Sequence, residues 1–151
     1  MKRFLTCIFF VITIGNTYAF GNEDDYPNTF RVFEDHGGHV NEYFDKVAKL
    51  NRGNHPIRIL GECDSACTIY LSANEVCVTE NSNFGFHTAF HTKSYDDWTK
   101  VSTDYEATDR IMESYKDTLK NYIMDHGGLN SDFMYIDGKT MILLGYDECQ
   151  P

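Results

Sequence analysis

Apolar and polar residues alternate over 29–33 (Thr-Phe-Arg-Val-Phe), the two-residue period of a half-buried strand. Glu34-Asp35-His36-Gly37-Gly38 breaks that run. Apolar residues then recur at Val40, Tyr43, Phe44, Val47 and Leu50, which is helical spacing over 39–51. The turn 52–56 leads into a short apolar strand, 57–60, and an apolar helix follows over 66–73. Val76–Val78 reads as a strand, 79–82 as a polar turn and 83–88 as extended chain. A polar loop over 92–100 carries the only tryptophan, Trp98. Ile111, Met112, Tyr115, Leu119, Tyr122 and Ile123 then line one face of a long helix over 105–126, ended by Gly127-Gly128. Residues 135–140 form a hairpin-like turn or the start of a final small helix, and 141–144 is a last apolar run. Strands alternating with helices predict an α/β domain with parallel βα units and a long C-terminal helix.

The N-terminus follows another logic. Lys2 and Arg3 form a basic segment, 4–15 an apolar segment too short to span a bilayer, and Thr17-Tyr18-Ala19 a small-x-small cleavage site. Residues 1–19 therefore read as a signal peptide cut after Ala19, and Cys7 lies too early to be a lipoprotein cysteine. Residues 20–28 form an acidic N-terminal arm, and 29–151 the α/β domain. The predicted destination is outside the cytoplasm, periplasmic or secreted. About 130 mature residues make one domain with a modest core.

The net charge is −10, and cleavage would remove Lys2 and Arg3 but no acid. Such a chain is not expected to bind nucleic-acid phosphates or anionic membranes. Export also makes the cysteines interpretable. Cys63, Cys67, Cys77 and Cys149 remain after cleavage, which implies two disulfides in one of three pairings. Cys63 ends one predicted strand and Cys77 sits in the next, so neighbouring strands would join them and leave Cys67 for Cys149. No metal site is expected, because the cysteine spacing lacks paired CxxC motifs and His87 and His91, four residues apart, fall on strand and loop.

Candidate chemistry centres on Ser65. It follows a strand directly and precedes an apolar helix, as a serine nucleophile on a sharp strand-to-helix turn does. The bland reading of the same serine is a helix N-cap, a role Asp64 could share. A serine needs a base at neutral pH, and His87 has a suitable intrinsic pKa. Gly37 or Gly38, with Ala66, could supply backbone N–H groups to an oxyanion.

The order Gly37-Gly38-His39-Val40, a helix, Glu62-Cys63-Asp64-Ser65-Ala66-Cys67-Thr68, Val76-Cys77-Val78 and Phe84-Gly85-Phe86-His87 resembles the exported bacterial proteins of the Clp-peptidase/crotonase-like superfamily. The resemblance covers about residues 31–89 and continues more weakly to 128. It implies Ser65 as nucleophile, His87 as base, and an oxyanion hole from Gly37 or Gly38 with Ala66. It also implies a third, acidic member after the long helix: Asp132, with Asp137 as the other option. The chain is shorter and richer in cysteine than a Clp peptidase. The expected function is an exported serine hydrolase, a peptidase by resemblance, acting on a peptide or acyl substrate without a cofactor. The rival is a non-catalytic exported binding protein on the same fold. Related folds form rings or trimers, so an oligomer is open.

Overall fold

A computed structural model describes residues 28–92 and 101–150. The signal peptide, the Ala19 cleavage site, nearly all of the N-terminal arm and Trp98 lie outside the described residues. The fold is mixed α/β, with a curled, mostly parallel sheet and several helices.

Strand β2 (Ile57–Asp64) organises the sheet. Along one edge it pairs in parallel with β1 (Phe30–Asp35). Its other edge is shared by two short parallel strands, β3 (Val76–Val78) at its start and β4 (Asn83–Phe86) at its end. The polar turn between them, closed by the Ser82 N–H and hydroxyl on the Thr79 carbonyl at 3.1 and 2.6 Å, steps the chain from one position to the other. Strand β7 (Met134–Asp137) adds antiparallel to β4, and β8 (Asp147–Glu148) adds parallel to β3. A separate antiparallel pair joins β5 (Phe90–Thr92) to β6 (Val101–Thr103).

Strand β2 runs to Asp64 rather than stopping at Leu60, as the apolar pattern suggests. Its last residues pair with β1 and β4 on both sides, and these ladders hold a polar stretch extended. The register of β1 slips between Val32 and Glu34. Gly61 makes the slip possible: a Cβ there would collide with the Phe33 carbonyl.

Helix α1 (Val40–Arg52) packs against a 3-10 helix (Ser65–Ser72), which lies against β2, β3 and β4. Ile57, Ile59 and Val78 are fully buried, and each such side chain stabilises the fold by about 1.5–3 kcal/mol. Tyr70 of the 3-10 helix is wedged between Phe30 and Tyr43, with ring centroids 5.3 and 5.2 Å away.

The long helix expected over 105–126 is two helices, α2 (Tyr105–Ser114) and α3 (Asp117–Asp125). Tyr115 and Lys116 take extended ψ angles of 158° and 145° between them. The break drops the Tyr115 ring into the core, edge-on to Phe86 at 5.7 Å. There its hydroxyl meets Thr68 Oγ1 at 2.6 Å. A buried phenol needs such a partner, and Thr68 supplies it. Each half still buries its own residues, Ile111 before the break and Leu119 and Ile123 after it, so the apolar period looks continuous. The final apolar run belongs to α4 (Gly138–Leu143), capped by Asp137 Oδ1 on the Thr140 N–H at 2.8 Å.

Among the described residues there are two disulfides, and their pairing corrects the expected one: Cys63–Cys67 and Cys77–Cys149. The register explains it. Cys77 lies beside Arg58, whereas Cys63 lies beside Phe84 and Asp35, so the two are far apart along β2. Cys67 follows Cys63 by four residues across the turn at Ser65, and their Cα atoms are 5.3 Å apart. Cys149 reaches Cys77 because its N–H bonds the Val78 carbonyl at 2.9 Å beside β3. Among the described residues, no helix is long and apolar enough to cross a membrane.

Candidate active site

The sharpest backbone feature is at Ser65. Its φ is +57°, a left-handed value that costs an L-residue about 1–2 kcal/mol. The turn passes straight from β2 into the 3-10 helix, and the Cys63–Cys67 bridge closes over it. The Ser65 carbonyl is fixed from behind: Tyr115 O–H donates to Thr68 Oγ1, which donates to Ser65 O at 2.6 Å. The break between α2 and α3 is therefore what brings a support to the serine turn.

The glycine loop lies against the same turn. A Cβ on Gly37 would sit 2.7 Å from both the Ala66 N and the Ser65 Cβ. Gly37 also has a φ of +82°, so both space and conformation require glycine there. Asp35 Oδ1 holds the loop, accepting from the Gly37 N–H at 2.9 Å and from the Tyr43 hydroxyl at 2.6 Å. The Gly37 N–H is thus committed. The Gly38 N–H has no partner among the described residues.

His87 stands just past the end of β4, half-buried between Phe90 and Phe133, with ring centroids 5.1 and 4.5 Å away. Its Nδ1 lies 2.7 Å from the Thr88 carbonyl. A carbonyl only accepts, so Nδ1 carries the proton and Nε2 keeps its lone pair. Burial lowers the His87 pKa, against the opposing pull of the Thr88 bond and the Asp64 charge. The ring is therefore a neutral base at neutral pH.

Ser65, His87, His36, Gly37 and Gly38 line one cavity of about 780 Å³, closed on its far side by β5 and the start of α2. Ser65 Oγ makes no hydrogen bond among the described residues. Asp132 is exposed, and its N–H bonds Asn130 Oδ1 at 2.7 Å; its carboxylate makes no bond to His87. Asp137 pairs with Asn83, at the end of β4 away from His87, and caps α4. The structure thus brings neither acid to the histidine, and the Thr88 carbonyl takes the orienting position.

Asp64 stands at the N-cap position of the 3-10 helix, but its side chain makes no cap hydrogen bond. Its side chain is 7 % exposed, Oδ2 lies 3.4 Å from His36 Nδ1, and Oδ1 is buried without a partner among the described residues. His36 Nε2 lies 3.2 Å from Glu34 Oε1. With an acceptor at each ring nitrogen, His36 favours the doubly protonated form, and the bonds to Asp64 and Glu34 raise its pKa. A buried acid immediately before a candidate nucleophile was the available signal. Glu34, His36 and Glu62 also place one ligand-type atom each within 4.8 Å of one another. The ion pairs of His36 account for that cluster as a solvated charge network. His91 is paired with Asp104 at 3.1 Å.

The chain matches no family model and no curated protein.

Proposed function

We propose that this chain is an exported serine hydrolase with a Clp/crotonase-like fold, acting on a peptide or another acyl compound. The observation that carries the reading is the Ser65 turn: a left-handed serine, stapled by Cys63–Cys67, facing the same cavity as a neutral histidine. Ser65 Oγ attacks the acyl carbon, and His87 Nε2 takes its proton. The oxyanion forms between the N–H groups of Gly38 and Ala66, each donor being worth about a hundred- to a thousand-fold in rate. His87 returns the proton to the leaving group, and water repeats the sequence on the acyl-enzyme. The Thr88 carbonyl holds the tautomer but contributes no full negative charge, so it stabilises the imidazolium less than a carboxylate would.

A fluorophosphonate probe tests this. Labelling of the wild-type protein that is abolished in Ser65→Ala and strongly slowed in His87→Ala supports the hydrolase. The second reading is a non-catalytic exported binding protein. Among the described residues the Ser65 hydroxyl is unbonded and no acid bonds His87, which favours it, and a folded protein inert to the probe would support it over the hydrolase.

A further inference from the structure

We infer that the α2 end of the cavity is a carboxylate-binding subsite built on Arg110, which makes a carboxylate-bearing acyl compound the substrate class. The substrate half of this inference rests on the hydrolase reading; the binding half does not. Arg110 sits on α2 and lines the cavity that contains Ser65 and His87. Its Nη1 donates to Asn41 Oδ1 at 2.8 Å, and its guanidinium carbon lies 3.9 Å from the centre of the Phe44 ring. Both partners are uncharged. They hold the guanidinium in place and leave its charge unbalanced, with most of its five N–H donors open. No acid pairs with it among the described residues, in a chain whose acids outnumber its bases 23 to 13.

Two acids, Asp104 and Glu106, share the cavity. Asp104 is engaged twice, accepting from the Ala107 N–H at 2.9 Å and pairing with His91. Glu106 precedes Arg110 by one helical turn and makes no ion pair with it; it is the group that a bound anion must tolerate. A planar carboxylate suits the free guanidinium edge, which can accept it through two parallel hydrogen bonds. Arg110 is thus preorganised before any ligand arrives.

The binding test uses Ser65→Ala protein, titrated at low salt with glutarate and with uncharged glutaramide, and followed by amide chemical shifts. Glutarate should bind at least about 10-fold more tightly than glutaramide. Arg110→Gln should remove that preference, Arg110→Lys should keep part of it, and Glu106→Gln should strengthen it by about 2-fold. Equal binding of the two ligands, or a preference unchanged in Arg110→Gln, would overturn the subsite.

The substrate half is tested on the wild-type protein. One arm compares p-nitrophenyl hemiglutarate with p-nitrophenyl methyl glutarate, placing the carboxylate on the acyl side. The other compares a peptide ending in a free carboxylate with its C-terminal amide, placing it on the leaving group. A preference for the charged substrate in either arm, lost through KM in Arg110→Gln, is the expected result. Turnover with no charge preference in both arms would overturn the substrate class. Protein inert in both arms, with Arg110-dependent glutarate binding intact, would sink the hydrolase reading and leave the subsite standing.

Discussion

Gly37 lies flat against Ser65: a Cβ on the glycine would stand 2.7 Å from the serine Cβ. The loop and the serine turn are therefore packed as one unit, and neither can shift alone.

Gly37→Ala should disrupt that unit. It combines a left-handed φ, costing about 1–2 kcal/mol for a non-glycine residue, with contacts to Ser65 and the Ala66 amide that must open. The expected result is a lowered melting temperature and loss of fluorophosphonate labelling, measured on the same preparation. Unchanged melting and labelling would show that the loop does not sit where the structure has it.

The two disulfides should separate stability from function. Cys77–Cys149 spans 72 residues and Cys63–Cys67 only 4, so in the chain-entropy model they contribute about 4 and about 2 kcal/mol. Cys77→Ser/Cys149→Ser should therefore lower stability the more in denaturant unfolding. Cys63→Ser/Cys67→Ser should have the larger effect on Ser65 labelling, because its bridge closes over the serine turn. Peptide mapping without reduction checks the pairing itself.

His36 and His87 should titrate on opposite sides of the ordinary histidine value of 6.5. His36 is raised by its bonds to Asp64 and Glu34; His87 is lowered by burial. For His87 the folded state disfavours the proton, so its contribution to stability is present above the unfolded pKa and is lost as pH falls through the folded one. For His36 the sign reverses: its contribution is present below the unfolded pKa and is lost as pH rises through the folded one. Labelling of Ser65 should rise with pH through the lowered His87 pKa and level off before neutrality. Imidazole proton shifts followed across pH, with His36→Gln and His87→Gln for assignment, measure both. Coincident titrations would contradict the two environments.

Tyr115→Phe should cost about 1 kcal/mol, the net worth of one buried hydrogen bond. Thr68→Val should cost more, about 2 kcal/mol or above, since it also removes the donor to the Ser65 carbonyl and leaves the buried Tyr115 hydroxyl without its acceptor. The double variant should cost less than the sum, since the second change removes a partner already lost. Additive effects in urea unfolding would mean that the Tyr115–Thr68 bond does not link the helix break to the serine turn.

Much of the frame was readable from local chemistry. The alternation around Val32, the helical spacing from Val40 to Leu50 and the apolar Val76–Val78 run each declare an element, because backbone period and side-chain burial are coupled within a few residues. The same holds for the glycine turn that contains Gly37 and for a serine set just after a strand. The long helix was misread because apolar spacing reports which residues are buried, not whether the backbone between them stays helical. Tyr115 keeps the helical spacing although its backbone is extended, and the partner of its hydroxyl, Thr68, is distant in sequence.

Pairing and partnership belong to the tertiary structure. Cys63 and Cys77 look like neighbours by strand order, but the register places Cys77 beside Arg58 and hands Cys63 to Cys67. The acid expected for His87 was carried by Asp132, whereas the folded chain turns the ring onto the carbonyl of Thr88 and sets the Asp64 carboxylate toward His36. The sequence alone determined which residue types exist to do chemistry and which stretches are extended or helical, because those follow from short-range sterics and burial. Which nitrogen keeps its lone pair, which N–H stays free and which arginine is left without an acid depend on contacts between residues remote in the chain, and only the assembled fold decides those.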